Sequence, residues 1–184
     1  YYDYPKKPFV STVKKNGETR KYVIRTIEFP SRVNIFGEDN DVRIDYYEQK
    51  ADGKFATVLM LPTAAGMDFS TRNTSSYFAS RGLNCAVVHR RRFRPEIIGS
   101  AQDFENFLKQ SLLDNRQALD YLEREEKVDA RKFGVLGISL GAIEACTTAA
   151  VDDRLKCVVA VLAGGSMADI LCASEDKFLR GARN

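Results

Sequence analysis

Ser139 lies in the run Gly137-Ile138-Ser139-Leu140-Gly141, a Gly-x-Ser-x-Gly spacing that suits a serine acting as a nucleophile. Phe133 to Leu136 is short, apolar and partly β-branched, as a buried parallel strand is. Ala142, Ile143, Ala145, Cys146 and Ala149 then recur at helical spacing. Between strand and helix the chain must turn sharply, which lifts the serine hydroxyl clear of the carboxyl edge of a sheet. Side chains at 137 and 141 would collide with the neighbouring strand and helix, so glycine belongs at both. The helix starting near Leu140 aims its N–H-rich end at the reaction centre, and the Leu140 N–H can donate to a developing oxyanion. The three-residue pattern alone arises by chance in about one chain in twenty of this length. The strand before it and the helix after it are what give it meaning.

A serine hydroxyl needs a base. The chain has a single histidine, His89, closing the apolar run Asn84–His89. Arg90, Arg91, Arg92 and Arg94 follow it. His89 and Arg90 are candidates for the rim of a substrate site, where arginines could draw in an anionic group. The competing reading is that the arginines pair with nearby carboxylates. Glu144, on the helix after Ser139, reads as structural. Cys85, Cys146, Cys157 and Cys172 show no CxxC spacing, and three lie in predicted core elements. They read as buried free thiols, with no metal site or disulfide framework.

The elements that must carry these residues follow from patterning. Lys21–Phe29 and Val42–Tyr47 alternate as strands and should pair antiparallel at a sheet edge, with a turn over Val33–Asn40. Ala56–Leu61, Asn84–His89 and Leu155–Leu162 are continuous apolar runs of buried strands. Ser70–Arg81 reads as a helix stopped at Gly82. Ser100–Glu126 carries a clear stripe through Phe104, Phe107, Leu108, Leu112, Leu119 and Leu122, with Ser100 and Asp103 placed as a cap. Residues 1–20 read as an irregular N-terminal arm and 21–184 as one domain. Strands alternating with helices imply an α/β class, a mostly parallel sheet covered on both faces. Its sites belong at the carboxyl ends of the strands. Pro62–Gly66, the stretch after His89 and the Ser139 turn all leave from those ends.

Composition narrows the function. A net charge of +3 over 184 residues is too small to imply nucleic acid. No run of about 18 apolar residues is present, so no membrane span is expected. The chain begins at Tyr1, which leaves the compartment open between the cytoplasm, slightly favoured, and an exported mature protein.

The order TVLMLP, TAAG, NCAVVH, a long helix, KFGVLGISLGA and LKCVVAVLAGG resembles that of the α/β-hydrolases. It is most similar to their esterase, dienelactone-hydrolase-like and deacetylase-like branches. The resemblance covers Lys21 to Gly165 and implies the first six strands of that fold, ending after the sixth. It implies that Ser139 is the nucleophile, that Leu140 N–H is one oxyanion donor, and that Thr63 or Ala64 supplies the other. Many relatives have His-Gly where this chain has Pro62-Thr63, but only a backbone N–H is required there. The family order is serine, acid, histidine. The acid and histidine are therefore expected in about 80 to 130 further residues. Asp169, after the sixth strand, stands where a minority of relatives keep the acid. In the family sheet one strand separates His89 from the serine strand, about 10 Å across, too far for a base. The activity implied is hydrolysis of an ester or related acyl bond in a small molecule, with no metal or organic cofactor. The alternatives are an acyltransferase using the same serine and a non-catalytic binding module of the same fold. The edge of Leu155–Leu162 should be covered by further chain or by a second copy.

Overall fold

The structure is a computed structural model and describes residues 2–6, 8–36, 40–90 and 100–164. Among these residues, seven strands form one sheet. They are β1 (Thr12–Glu18), β2 (Tyr22–Pro30), β3 (Asp41–Gln49), β4 (Phe55–Leu61), β5 (Asn84–His89), β6 (Val128–Ile138) and β7 (Leu155–Val161). Their order across the sheet is β1-β2-β3-β5-β4-β6-β7. The pairs from β1 through β3 to β5 are antiparallel. The pairs β5–β4, β4–β6 and β6–β7 are parallel. The sheet is thus mixed, and parallel in the half that carries Ser139.

Period-two alternation explains why the central strands are apolar throughout. On β5, Cys85 and Val87 enter one core with Tyr47, Met60 and Leu136, while Ala86 and Val88 enter the other with Ile44, Leu59 and Val135. Helix α1 (Phe69–Ser80) covers the first face through Ala79. Helices α2 (Ala101–Leu122) and α3 (Leu140–Val151) cover the second through Leu119, Leu122 and Ala145. The Ser100 hydroxyl accepts the Asp103 N–H at 3.1 Å and donates to the Asp103 carboxylate at 2.8 Å, so the predicted cap is formed.

Three expectations are corrected. Residues 1–20 are not an irregular arm, because Thr12–Glu18 is the outermost strand, paired from Thr12↔Glu28 to Glu18↔Val23 around a bulge. Its residues are exposed on both faces, with only the Gly17 backbone half-buried, so it lacks the alternation that marks a strand in sequence. The β2–β3 pair consequently sits one strand in from the edge. Ahead of β1 the arm is also seated: Phe9 packs edge-on against Phe29 at 4.6 Å, and the Arg32 guanidinium lies 3.9 Å above the Phe9 ring. Finally, among the described cysteines Cys146 and Cys157 are exposed and only Cys85 is buried, while Cys172 lies outside the described residues. Cys157 lies on β7, which is the last strand of the sheet among the described residues. There Val158, Val159 and Val161 are 40 to 44% exposed.

The polar face of α2 is not a solvent face. Gln110, Asp114 and Gln117 are buried and hold Ser31, Arg32, Ile35 and Asn40 against the helix. Gln117 accepts the Arg32 N–H at 2.8 Å, Gln110 accepts the Ile35 N–H at 3.0 Å, and Asp114 accepts from the Ser31 hydroxyl at 2.7 Å. The Arg32 and Ile35 N–H groups thus find side-chain partners. No helix among the described residues is long and apolar enough to cross a membrane.

Candidate active site

Strand β6 ends at Ile138 and α3 begins at Leu140, leaving Ser139 alone between them. Its backbone has φ 55° and ψ −118°, a region that residues with a Cβ rarely occupy. Backbone hydrogen bonds on both sides hold it there. The Ser139 N–H donates to the Val161 carbonyl at 2.8 Å, and its own carbonyl accepts the Ala142 N–H at 2.9 Å. The side chain is exposed and makes no capping bond. The strained serine expected from the sequence is therefore present.

The glycines explain how so tight a turn fits. A Cβ on Gly137 would lie 2.6 Å from the Ala142 nitrogen and nearer still to the Gly141 carbonyl. A Cβ on Gly141 would lie 2.5 Å from the Pro62 oxygen and nearer still to Leu61. All of these are backbone atoms that cannot rotate away. The first turn of α3 thus rests directly on the chain leaving β4. On its other side Leu140 packs beside Phe104 and Phe107 of α2.

Pro62 to Gly66 forms a closed loop after β4. The Gly66 N–H donates to the Thr63 carbonyl at 2.9 Å, and the Thr63 hydroxyl reaches the Asp68 carboxylate at 3.3 Å. Asp68 also caps α1, accepting the Thr71 N–H at 2.8 Å, and backbone donation from Thr71 contributes to holding its carboxyl below the usual carboxylate range.

Arg90 does not line a rim. Its side chain is 5% exposed and donates to Glu144, 3% exposed, through Nε at 2.5 Å and Nη2 at 2.8 Å. The same guanidinium donates to the Pro62 carbonyl at 2.9 Å and the Thr63 carbonyl at 3.0 Å. The reading of Glu144 as structural fits this geometry. Arg91, Arg92, Arg94 and Asp169 lie outside the described residues.

His89 faces Asp45 of β3, with Nε2 and Oδ2 2.8 Å apart. Asp45 also accepts from the Thr26 hydroxyl at 2.6 Å. Burial alone would raise the Asp45 pKa, but the His89 and Thr26 hydrogen bonds outweigh it and leave the carboxyl below its usual value. Strand β4 stands between the strands of His89 and Ser139, as expected from the sequence. Asp152 lies at the far end of the sheet, paired with Arg154 at 2.7 Å and Arg116 at 3.2 Å. Among the described residues no group of three His, Cys, Asp or Glu side chains could hold a metal ion.

Sequence reasoning missed two features. One is the partner of Arg90: pairing with a carboxylate is the competing reading, but Glu144 lies 54 residues away with no local signal. The other is Leu162, which has φ 56°, is 81% exposed and follows the residue that accepts the Ser139 N–H.

No protein-family model and no curated protein matches the sequence. Solved structures do match the fold. An acetyl xylan esterase from a Paenibacillus species superimposes with a TM-score of 0.73 at 18% identity, over 94% of this chain and 60% of its own. Acetyl xylan esterase 1 from a Thermoanaerobacterium species gives 0.71 at 15%, over 90% and 56%. A glucuronoyl esterase from Solibacter usitatus gives 0.61 at 15%, over 85% and 54%. This chain therefore spans a little over half the length of those esterases. A mixed sheet in that strand order, helices on both faces and a match over nearly the whole chain together identify a partial α/β-hydrolase fold of the kind these esterases share.

Proposed function

We propose that the protein is a serine esterase-type hydrolase acting on an acyl ester, with Ser139 as nucleophile. The observation that carries this reading is the Ser139 backbone, held at φ 55° between β6 and α3 with its hydroxyl exposed. A fold rarely retains such strain without a use for the geometry. In the proposed reaction the Ser139 oxygen attacks the ester carbonyl carbon and its proton passes to a base. The oxyanion is held by the N–H of Leu140 and that of Thr63 or Ala64. The C–O bond to the alcohol then breaks, the base returns the proton to the leaving alcohol, and water cleaves the acyl-enzyme to free acid and serine. The scheme needs no metal or organic cofactor.

His89 is held by Asp45 and lies two strands away, so the base is assigned to a histidine in polypeptide beyond these 184 residues, with the acid. That polypeptide, or a second copy, would also cover the exposed valines of β7. The resembling structures are named for acetyl xylan and glucuronoyl esters, which makes carbohydrate-linked esters the first substrates to try. An acyltransferase would use the same serine with a different acceptor. A non-catalytic binding module is the second reading, favoured by the engagement of the only histidine with Asp45.

Fluorophosphonate labelling of the full-length natural polypeptide tests the proposal. Labelling should map to Ser139, vanish in Ser139→Ala and persist largely intact in His89→Ala. An unlabelled wild type would favour the binding module. A loss in His89→Ala as deep as in Ser139→Ala would mean that the ring reaches the serine after all.

A further inference from the structure

We propose that Arg90, held by Glu144, is a positioning residue that sets the second oxyanion donor; this rests on the reading of Ser139 as the nucleophile. The guanidinium grips two consecutive carbonyls, those of Pro62 and Thr63. The described chain has no cis peptide bond, and in a trans peptide the C=O and N–H point to opposite sides. Fixing the Pro62 and Thr63 carbonyls on Arg90 therefore turns the N–H groups of Thr63 and Ala64 away from it. These are the two groups assigned above as candidates for the second donor.

The other end of the clamp is equally specific. Glu144 lies one helical turn after Leu140, the residue that supplies the first donor. One ion pair thus ties the element carrying one donor to the loop carrying the other. Gly141 lets those two backbones touch, with the Pro62 oxygen 2.5 Å from where its Cβ would be. Arginine suits the task because its planar fork serves a carboxylate and two carbonyls at once, which an ammonium cannot do with the same geometry. Stability alone does not explain so buried a pair. Apolar residues of similar volume are often as stable as a buried ion pair. What they could not do is orient two peptide planes.

The test uses the full-length natural polypeptide as wild type, Arg90→Lys and Glu144→Gln. For each, kcat and KM are measured on p-nitrophenyl acetate and on the matched thionoester, beside fluorophosphonate labelling and thermal unfolding. Misplacing a donor should lower kcat on the oxygen ester about 10- to 100-fold, with KM changed less than about threefold. Sulfur accepts hydrogen bonds poorly, so the thionoester rate should fall less and the oxygen-to-sulfur rate ratio should shrink in both variants. Folded variants with unchanged kcat, or an equal fall on both esters, would overturn the proposal. So would loss of fold in both variants, which would make the pair a structural tie. A wild type that is neither labelled nor active would instead remove the nucleophile reading on which the proposal stands.

Discussion

Gly141→Ala tests the close approach on which the whole site depends. In most helices this change is favourable, since alanine gains about 1 kcal/mol over glycine in a helix interior. Here the new methyl would lie 2.5 Å from the Pro62 oxygen and nearer still to the Leu61 carbonyl. Neither side can yield easily. Leu61 is paired in the sheet to Gly137, and the start of α3 is tied down by the Ser139–Val161 hydrogen bond and by Arg90. Overpacking of this kind costs about 3 kcal/mol, the upper end of the usual range, because only backbone can move. The net loss is then about 2 kcal/mol, which for a chain of this size lowers the melting temperature by about 4–8 °C. Circular dichroism melting of wild type and variant measures it. Gly134→Ala is the control: three residues before Gly137 on the same strand, its methyl would meet the Cys157 oxygen at an ordinary 3.5 Å and should change the melting temperature by less than about 2 °C. If Gly141→Ala melted at or above wild type, the contact between α3 and the end of β4 would be wrong, and the turn around Ser139 with it.

Two further outcomes follow from the same geometry. Ser139→Gly should abolish fluorophosphonate labelling yet raise the melting temperature by about 2–4 °C, because glycine relieves about 1 kcal/mol net of positive-φ strain; a lower melting temperature would argue that Ser139 is unstrained. Burial alone would raise the Asp152 pKa, but Arg154 and then Arg116 outweigh it and hold the carboxyl below its usual 3.8. A depressed folded pKa gives stability that is present above 3.8 and lost as pH falls through the folded value. Asp152→Asn should therefore be less stable at pH 7, with a flatter stability profile below pH 4 in urea titrations, and parallel profiles would refute the assignment.

What could be read from the sequence was what neighbours in the chain decide together. The serine turn was legible because strand, glycines and small-residue helix are contiguous from Phe133 to Ala149. Helix α2 was legible through its apolar stripe, and its cap through Ser100 and Asp103. Strand β1 was not, because a strand beyond the reach of the core has no face to bury and no alternation to show. The roles of Gln110, Asp114 and Gln117 were hidden for the opposite reason. Polar residues on a helix suggest water, and only the fold shows that Ser31, Arg32 and Ile35 supply their partners.

The same distinction separates the two halves of the candidate site. Ser139 and Leu140 belong to one local motif, so contiguous strand, glycines and helix place a serine at a helix N-terminus. The proposed second donor rests on residues from three parts of the chain: Thr63 in a loop, Arg90 after β5 and Glu144 in α3. Nothing in the spacing of Arg90 tells whether its charge meets solvent, substrate or carboxylate. Strand order decides it. Parallel pairing of β5 with β4 and of β4 with β6 brings the loops after β4 and β5 to the same edge as α3. Once these three ends converge, an arginine leaving β5 is placed between a carboxylate on α3 and the carbonyls after β4. The same order keeps β4 between His89 and Ser139. One topological fact thus turns Arg90 inward to the framework of the site and leaves His89 with Asp45.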